Sequence, residues 1–151
     1  MKRPLAHRIA VAAIVLGVAL CPARGEGTAA ETEAKTLRPC PSTPNCISTL
    51  AAEPGQRMAP IPFTGARESA QMWLRKVILA VPRAEITEEG PGYLAAEFRS
   101  RLFGFVDEAQ FLFDEKNGLL HFRSGARTGW YDFGVNRSRM ERIGEAFRTG
   151  R

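Results

Sequence analysis

The sequence contains no G-x-S-x-G and no C-x-x-C, and only two histidines, His7 and His121. Serine-nucleophile chemistry needs a base beside the nucleophile, and a dithiol redox centre prefers closely spaced cysteines at a helix start. Neither pattern is present. A zinc site takes about four ligands. Beyond residue 25 the chain offers Cys40, Cys46 and His121, so neither a metal nor another cofactor is expected. Carboxylates adjoin at Glu88-Glu89, Asp107-Glu108 and Asp114-Glu115. Neighbours in a strand point to opposite faces and cannot act together on one bond. The apolar run Ile9 to Leu20 is shorter than the ~20 residues of a membrane-spanning helix.

That apolar run follows a basic start, "MKRPLAHR", and precedes the small residues Ala23 and Gly25. Residues 1–25 therefore read as a secretory signal peptide, which places the mature protein in the periplasm or outside the cell. Attachment as a lipoprotein through Cys21 is the rival reading, and Leu20 stands where lipid processing wants a small residue. Removing Met1 to Gly25 takes away Lys2, Arg3, Arg8 and Arg24 and no acidic residue, so the formal charge falls from +5 to +1. A mature domain so close to neutral lacks the basic stripe that nucleic-acid binding requires. No transmembrane span is expected after cleavage.

Residues 26–36 are rich in Gly, Thr, Ala and Glu and read as a flexible leader. A single domain, 37–149, follows. It begins with a proline-rich extended arm, 37–63, pinned at Ile47, Leu50, Ile61 and Phe63. Cys40 and Cys46 are expected to form a disulfide in this arm. A helix is predicted from Arg67 to Val81, where Ala70, Trp73, Leu74, Val77, Ile78 and Val81 form one stripe; Thr64 or Gly65 starts it and Pro82 ends it. Four strand-like runs come next, "AEITEE", "YLAAEFRS", "FVDEAQFLFD" and "LLHFRSGART", with Asn117-Gly118 marking a hairpin. A second helix opens at Asn136 as N-cap, with a Val135–Met140 staple and a buried face of Met140, Ile143 and Phe147. The expected fold is α+β and two-layered: a four-stranded antiparallel meander with both helices on one face, in the order α-β-β-β-β-α.

Alternation assigns the faces. Leu94, Ala96, Phe98, Ser100, Ala109, Phe111, Phe113, Leu120, Phe122 and Ser124 point to the core. Tyr93, Glu97, Arg99, Arg101, Glu108, Gln110, His121, Arg123 and Arg127 point away. In a meander, alternate turns fall at opposite ends of the sheet. Arg99, Arg101, Asp107, Arg127, Trp130, Asp132 and the helix start at Asn136 are thus expected to converge at one end. Guanidinium groups beside a helix N-terminus suit a carboxylate or phosphate. The alternative is that Asp132 is itself that anion, as partner of Arg127 or Arg137. Both readings stay open at this stage.

Three stretches carry a family resemblance: "CPSTPNCIS", "YLAAEFRSRLFGFVDEAQFLFD" and "HFRSGARTGWYDFGVNRSRMERI". They resemble the bacterial and plastid family designated domain of unknown function 1499, over about Leu37 to Phe147. The resemblance implies a small exported or lumenal protein and supplies no mechanism. Its characteristic positions correspond to Pro44, Asn45, Cys46, Ser48, Glu97, Arg99, Phe105, Asp107, Arg123, Ser124, Arg127, Asp132, Gly134, Asn136 and Arg137.

The expected ligand-binding set is accordingly Arg99, Arg101, Asp107, Arg123, Arg127, Asp132, Asn136 and Arg137. The leading reading is a non-catalytic module that binds an anionic small molecule or lipid headgroup. One alternative is an envelope assembly factor that binds a protein partner. Another is an enzyme using Asp107 or Asp132 beside an arginine clamp.

Overall fold

The computed structural model describes residues 35–150. The expected signal peptide, its lipidation alternative at Cys21 and most of the expected leader lie outside the described residues. The elements are β1 (Cys46–Ser48), β2 (Ile61–Pro62), α1 (Arg67–Leu79), β3 (Ala84–Gly90), β4 (Tyr93–Arg99), β5 (Val106–Asp114), β6 (Leu119–Ala126) and α2 (Val135–Thr149). Strands β3 to β6 form the expected antiparallel meander. The sheet nevertheless has six strands rather than four, in the order β1-β6-β5-β4-β3, with β2 also on β6.

The two additional strands come from the proline-rich arm. Cys46 pairs with Gly125 and Ser48 with Arg123, while Ile61 pairs with Leu120 further along the same strand. Strands of three and two residues carry no alternation to detect. The arm's anchors Ile47, Ile61 and Phe63 are buried as expected, but Leu50 is exposed.

Both helices lie on one face of the sheet. Leu74 and Ile78 of α1 and Met140, Ile143 and Phe147 of α2 meet Leu94, Phe98, Phe111, Leu120 and Phe122 in one core. A buried side chain of this size contributes roughly 1.5–3 kcal/mol. Trp73 and Val81 pack only at the margin. Helix α1 begins after Ala66 without a side-chain cap. Neither Thr64 nor Gly65 caps it, and Gly65 sits at φ 79, off the helical path. Ser100 leaves the core face: it is exposed in the β4–β5 turn, where its hydroxyl accepts a hydrogen bond from Phe105 N.

Two details fix what lies over the open face. At Gly125 an added Cβ would lie 3.1 Å from Cys46 Sγ and 3.2 Å from Cys46 Cβ. Glycine there lets β1 close against β6 and lets the Cys40–Cys46 disulfide sit directly on the sheet. From that disulfide, residues 35–40 run back across the open face as a strap. Arg38 N donates to Gln110 Oε1 at 2.9 Å on β5, and Lys35 pairs with Glu88 on β3 at 2.5 Å. Strand β3 forms the far edge, with a register shift between Ile86 and Glu88.

Candidate functional site

The expected site residues separate into five groups. Arg99, Arg123 and Arg127 share the open face, as alternation requires. Arg101 lies in the β4–β5 turn and makes no ion pair with any described residue. Asp107 points the other way, into the helix layer, where Arg139 of α2 donates to it at 2.6 Å. Its parity with Ala109 and Phe111 demands this. Arg137 lies elsewhere again, donating to Gly55 O at 2.7 Å and tying α2 to the arm.

Asp132 and Asn136 exchange the roles expected of them. Helix α2 starts at Val135 after Gly134, whose φ of 74° only glycine adopts without strain. The Asp132 carboxylate accepts from Gly134 N and Asn136 N, both at 3.0 Å. It therefore satisfies free N–H groups of the first turn and complements the helix dipole. Asp132 is the internal anion, and it serves the helix start rather than Arg127 or Arg137. Asn136 is not the N-cap. It lies fully buried inside the helix, accepting from Ser124 Oγ at 2.5 Å and from Arg139 at 3.0 Å, and donating to Asp132 at 2.8 Å. Val135 is exposed while Met140 is buried, so no staple forms.

On the open face, charge is organised as a ladder. Glu97 and Glu108 lie directly opposite each other across β4 and β5, an arrangement that repels when unbridged. Arg127 bridges them, donating to Glu108 at 2.8 Å and also to Glu97. Arg99 flanks Glu97 at 2.9 Å, and Arg38 of the strap flanks Glu108. Burial opposes ionisation of Glu108, but hydrogen bonds from Arg127 and Arg38 outweigh it and hold its carboxyl below the ordinary 4.5. The same pair of glutamates raises the pKa of Arg127. A depressed carboxylate adds stability above its ordinary value and loses that contribution as pH falls through the folded-state value. The Arg127→Ala variant is thus expected to melt below wild type at neutral pH, with the gap closing as pH falls below 4.5. Thermal melts across a pH series would read this out.

Arg123 is the exception on this face. It sits at the centre of β6, opposite Gln110 and Ser48, and is only 9% exposed. Its Nε and Nη1 are buried without a hydrogen-bond partner among the described residues. Burial lowers its pKa, the nearby Arg38 lowers it further, and Glu108 works in the opposite direction. Its cross-strand neighbour Gln110, together with Arg38, Tyr93, Glu97 and Glu108, lines a cleft of about 450 Å³ between strap and sheet. Sequence reasoning missed Arg38, because it precedes the first patterned element. It also missed Arg139, although its spacing of three from Asn136 puts the two on one helix face.

The P-N-C segment explains how the strap is held. Asn45 is buried and donates to Gly129 O at 2.6 Å, while its carbonyl receives Ala126 N at 3.0 Å. Ser48 Oγ donates to Phe122 O at 3.1 Å and accepts from Leu50 N at 3.1 Å. These contacts fasten the arm to β6 and to the loop beyond it.

A two-layer α+β domain with a disulfide-pinned strap over an arginine-rich sheet face is thus the class of protein defined here. The family model of DUF1499, a protein family of unknown function, matches residues 36–147, and the chain belongs to that family. No curated protein matches the chain. Among the described residues no helix is long and apolar enough to cross a membrane.

Proposed function

We propose that this protein is an exported, non-catalytic module that binds an anion of the carboxylate or phosphate class on the open face of its sheet. The observation that carries this reading is Arg123, a buried guanidinium with two partnerless N–H groups. A buried donor without a partner costs roughly 1–3 kcal/mol. Anionic oxygens reaching this guanidinium would supply the acceptors that these donors lack. Surrounding charge favours the same ligand: Arg38, Arg99 and Arg127 pair with Glu97 and Glu108, and Arg123 adds a further positive charge on the same face. The disulfide suits an oxidising compartment and so supports export. Asp107 and Asp132 are each engaged in holding α2, which favours binding over catalysis.

The test is thermal melting of wild type and Arg123→Met in increasing inorganic phosphate, citrate or a short-chain phosphatidylglycerol. Wild type is expected to gain stability with anion concentration. Arg123→Met is expected to start about 1–3 kcal/mol more stable, because the orphaned donors are gone, and then to show no anion response. A wild type indifferent to all three anions, or an Arg123→Met variant that responds equally, would remove the proposal. A response to the lipid but not to phosphate or citrate would identify a headgroup as the ligand.

A further inference from the structure

Seven of the ten large hydrophobic side chains exposed among the described residues belong to two loops and the helix start that follows the second. Leu102, Phe103 and Phe105 come from the β4–β5 turn; Trp130, Tyr131 and Phe133 come from the β6–α2 loop, with Val135 at the helix start. Arg127 N donates to Val106 O at 2.9 Å, which sets the two loops side by side at one end of the sheet. Within each loop the rings touch: Phe103 and Phe105 have centroids 5.5 Å apart, Tyr131 and Phe133 5.1 Å. Folding does not require this display. Phe133 is 86% exposed and holds φ 53°, a left-handed conformation that is unfavourable for an L-residue.

We infer that this end of the molecule is a docking tip that inserts into the interfacial layer of a bilayer bearing anionic lipids. Three observations select that occupant. First, the side chains combine Trp, Tyr, Phe and Leu, the composition that settles at the headgroup boundary. Second, the charge around them is complementary to an anionic surface. Arg101 is free of ion pairs among the described residues and is the cation offered to the surface; Arg99 and Arg127, at the strand ends just behind the tip, are paired with Glu97 and Glu108. The only carboxylate in either loop, Asp132, is engaged by the first turn of α2. An unpaired arginine near such a surface adds to the attraction. Third, none of these apolar side chains lines any of the described clefts. They project from loops, the shape of a group that enters a soft interface, and the arginines behind them lie at phosphate depth. The inference stands independently of the anion site at Arg123.

The test uses the full chain and vesicles of phosphatidylcholine alone or mixed equally with phosphatidylglycerol. The chain has two tryptophans, so a Trp73→Phe background makes emission report on Trp130 alone. Binding to the mixed vesicles is expected, with Trp130 emission moving to shorter wavelength. The double variant Leu102→Ser/Phe103→Ser is expected to bind roughly tenfold or more weakly, since losing two inserted side chains exceeds 1.4 kcal/mol. Arg101→Glu should weaken binding to the mixed vesicles more than to phosphatidylcholine alone. Phosphate-dependent stabilisation through Arg123 should be unaltered in the tip variants, which separates failure of this inference from failure of the anion site. Wild type that stays unbound, tip variants that bind like wild type, or a tip-dependent dimer without vesicle binding would each overturn it.

Discussion

Replacing Asn136 by alanine is expected to destabilise the protein by about 3 kcal/mol, measured as a lower urea midpoint with unchanged slope. The side chain has no solvent exposure and makes three side-chain hydrogen bonds, to Ser124, Arg139 and Asp132. Truncation leaves the Ser124 hydroxyl donor buried without an acceptor and removes one partner of Arg139, which lies 4.6 Å from the Phe98 ring centroid and pairs with Asp107. Groups orphaned together inside a network are more costly than any one alone. Asn136→Asp should be worse than alanine, because the amide that donates to Asp132 becomes a second carboxylate facing it. A loss of less than about 1 kcal/mol for Asn136→Ala would show that the network closes without it.

The second large effect is expected from Cys40→Ser. Cross-linking residues six apart in sequence removes chain entropy worth about 2 kcal/mol from the unfolded state. The effect should be local as well as global. The strap is also attached through Arg38 to Gln110 and Glu108, and through Lys35 to Glu88 and the Tyr93 ring. Those ion pairs are largely exposed and contribute little each. Without the disulfide, residues 35–40 should become the first site of limited proteolysis, and Arg123 should exchange its amide faster. Unchanged cleavage in the variant would mean that the hydrogen bond to Gln110 suffices to hold the strap.

The sheet and its faces were legible because alternation survives wherever one face is buried. Leu94, Ala96 and Phe98, or Leu120 and Phe122, have no other way to pack. The same alternation also assigned Asp107, which shares the parity of Ala109; expecting it beside the arginines gave turn topology priority over face. Asp132 and Asn136 are both good capping residues, so composition alone could not order them. The discriminating signal is Gly134 between them, whose positive φ turns the chain so that the aspartate two residues earlier reaches the helix start. Strands β1 and β2 were illegible for a different reason. They are held by pairing to β6 and by the hydrogen bonds of Ser48 and Asn45, all long-range contacts.

The arrangement of the sheet's margins also limits how a second polypeptide could attach. On one side, the border is made of three-residue and two-residue pieces, β1 and β2, the first capped by a disulfide. On the other, β3 carries Glu85, Glu88 and Glu89 and breaks register after Ile86. Short borders, repeated carboxylates and a bulge are all features that deter one chain from hydrogen-bonding its backbone onto another. Growth of this sheet from molecule to molecule is therefore disfavoured on both sides. Recognition is left to side chains, and the molecule can expose an aromatic tip without presenting a backbone template for aggregation beside it.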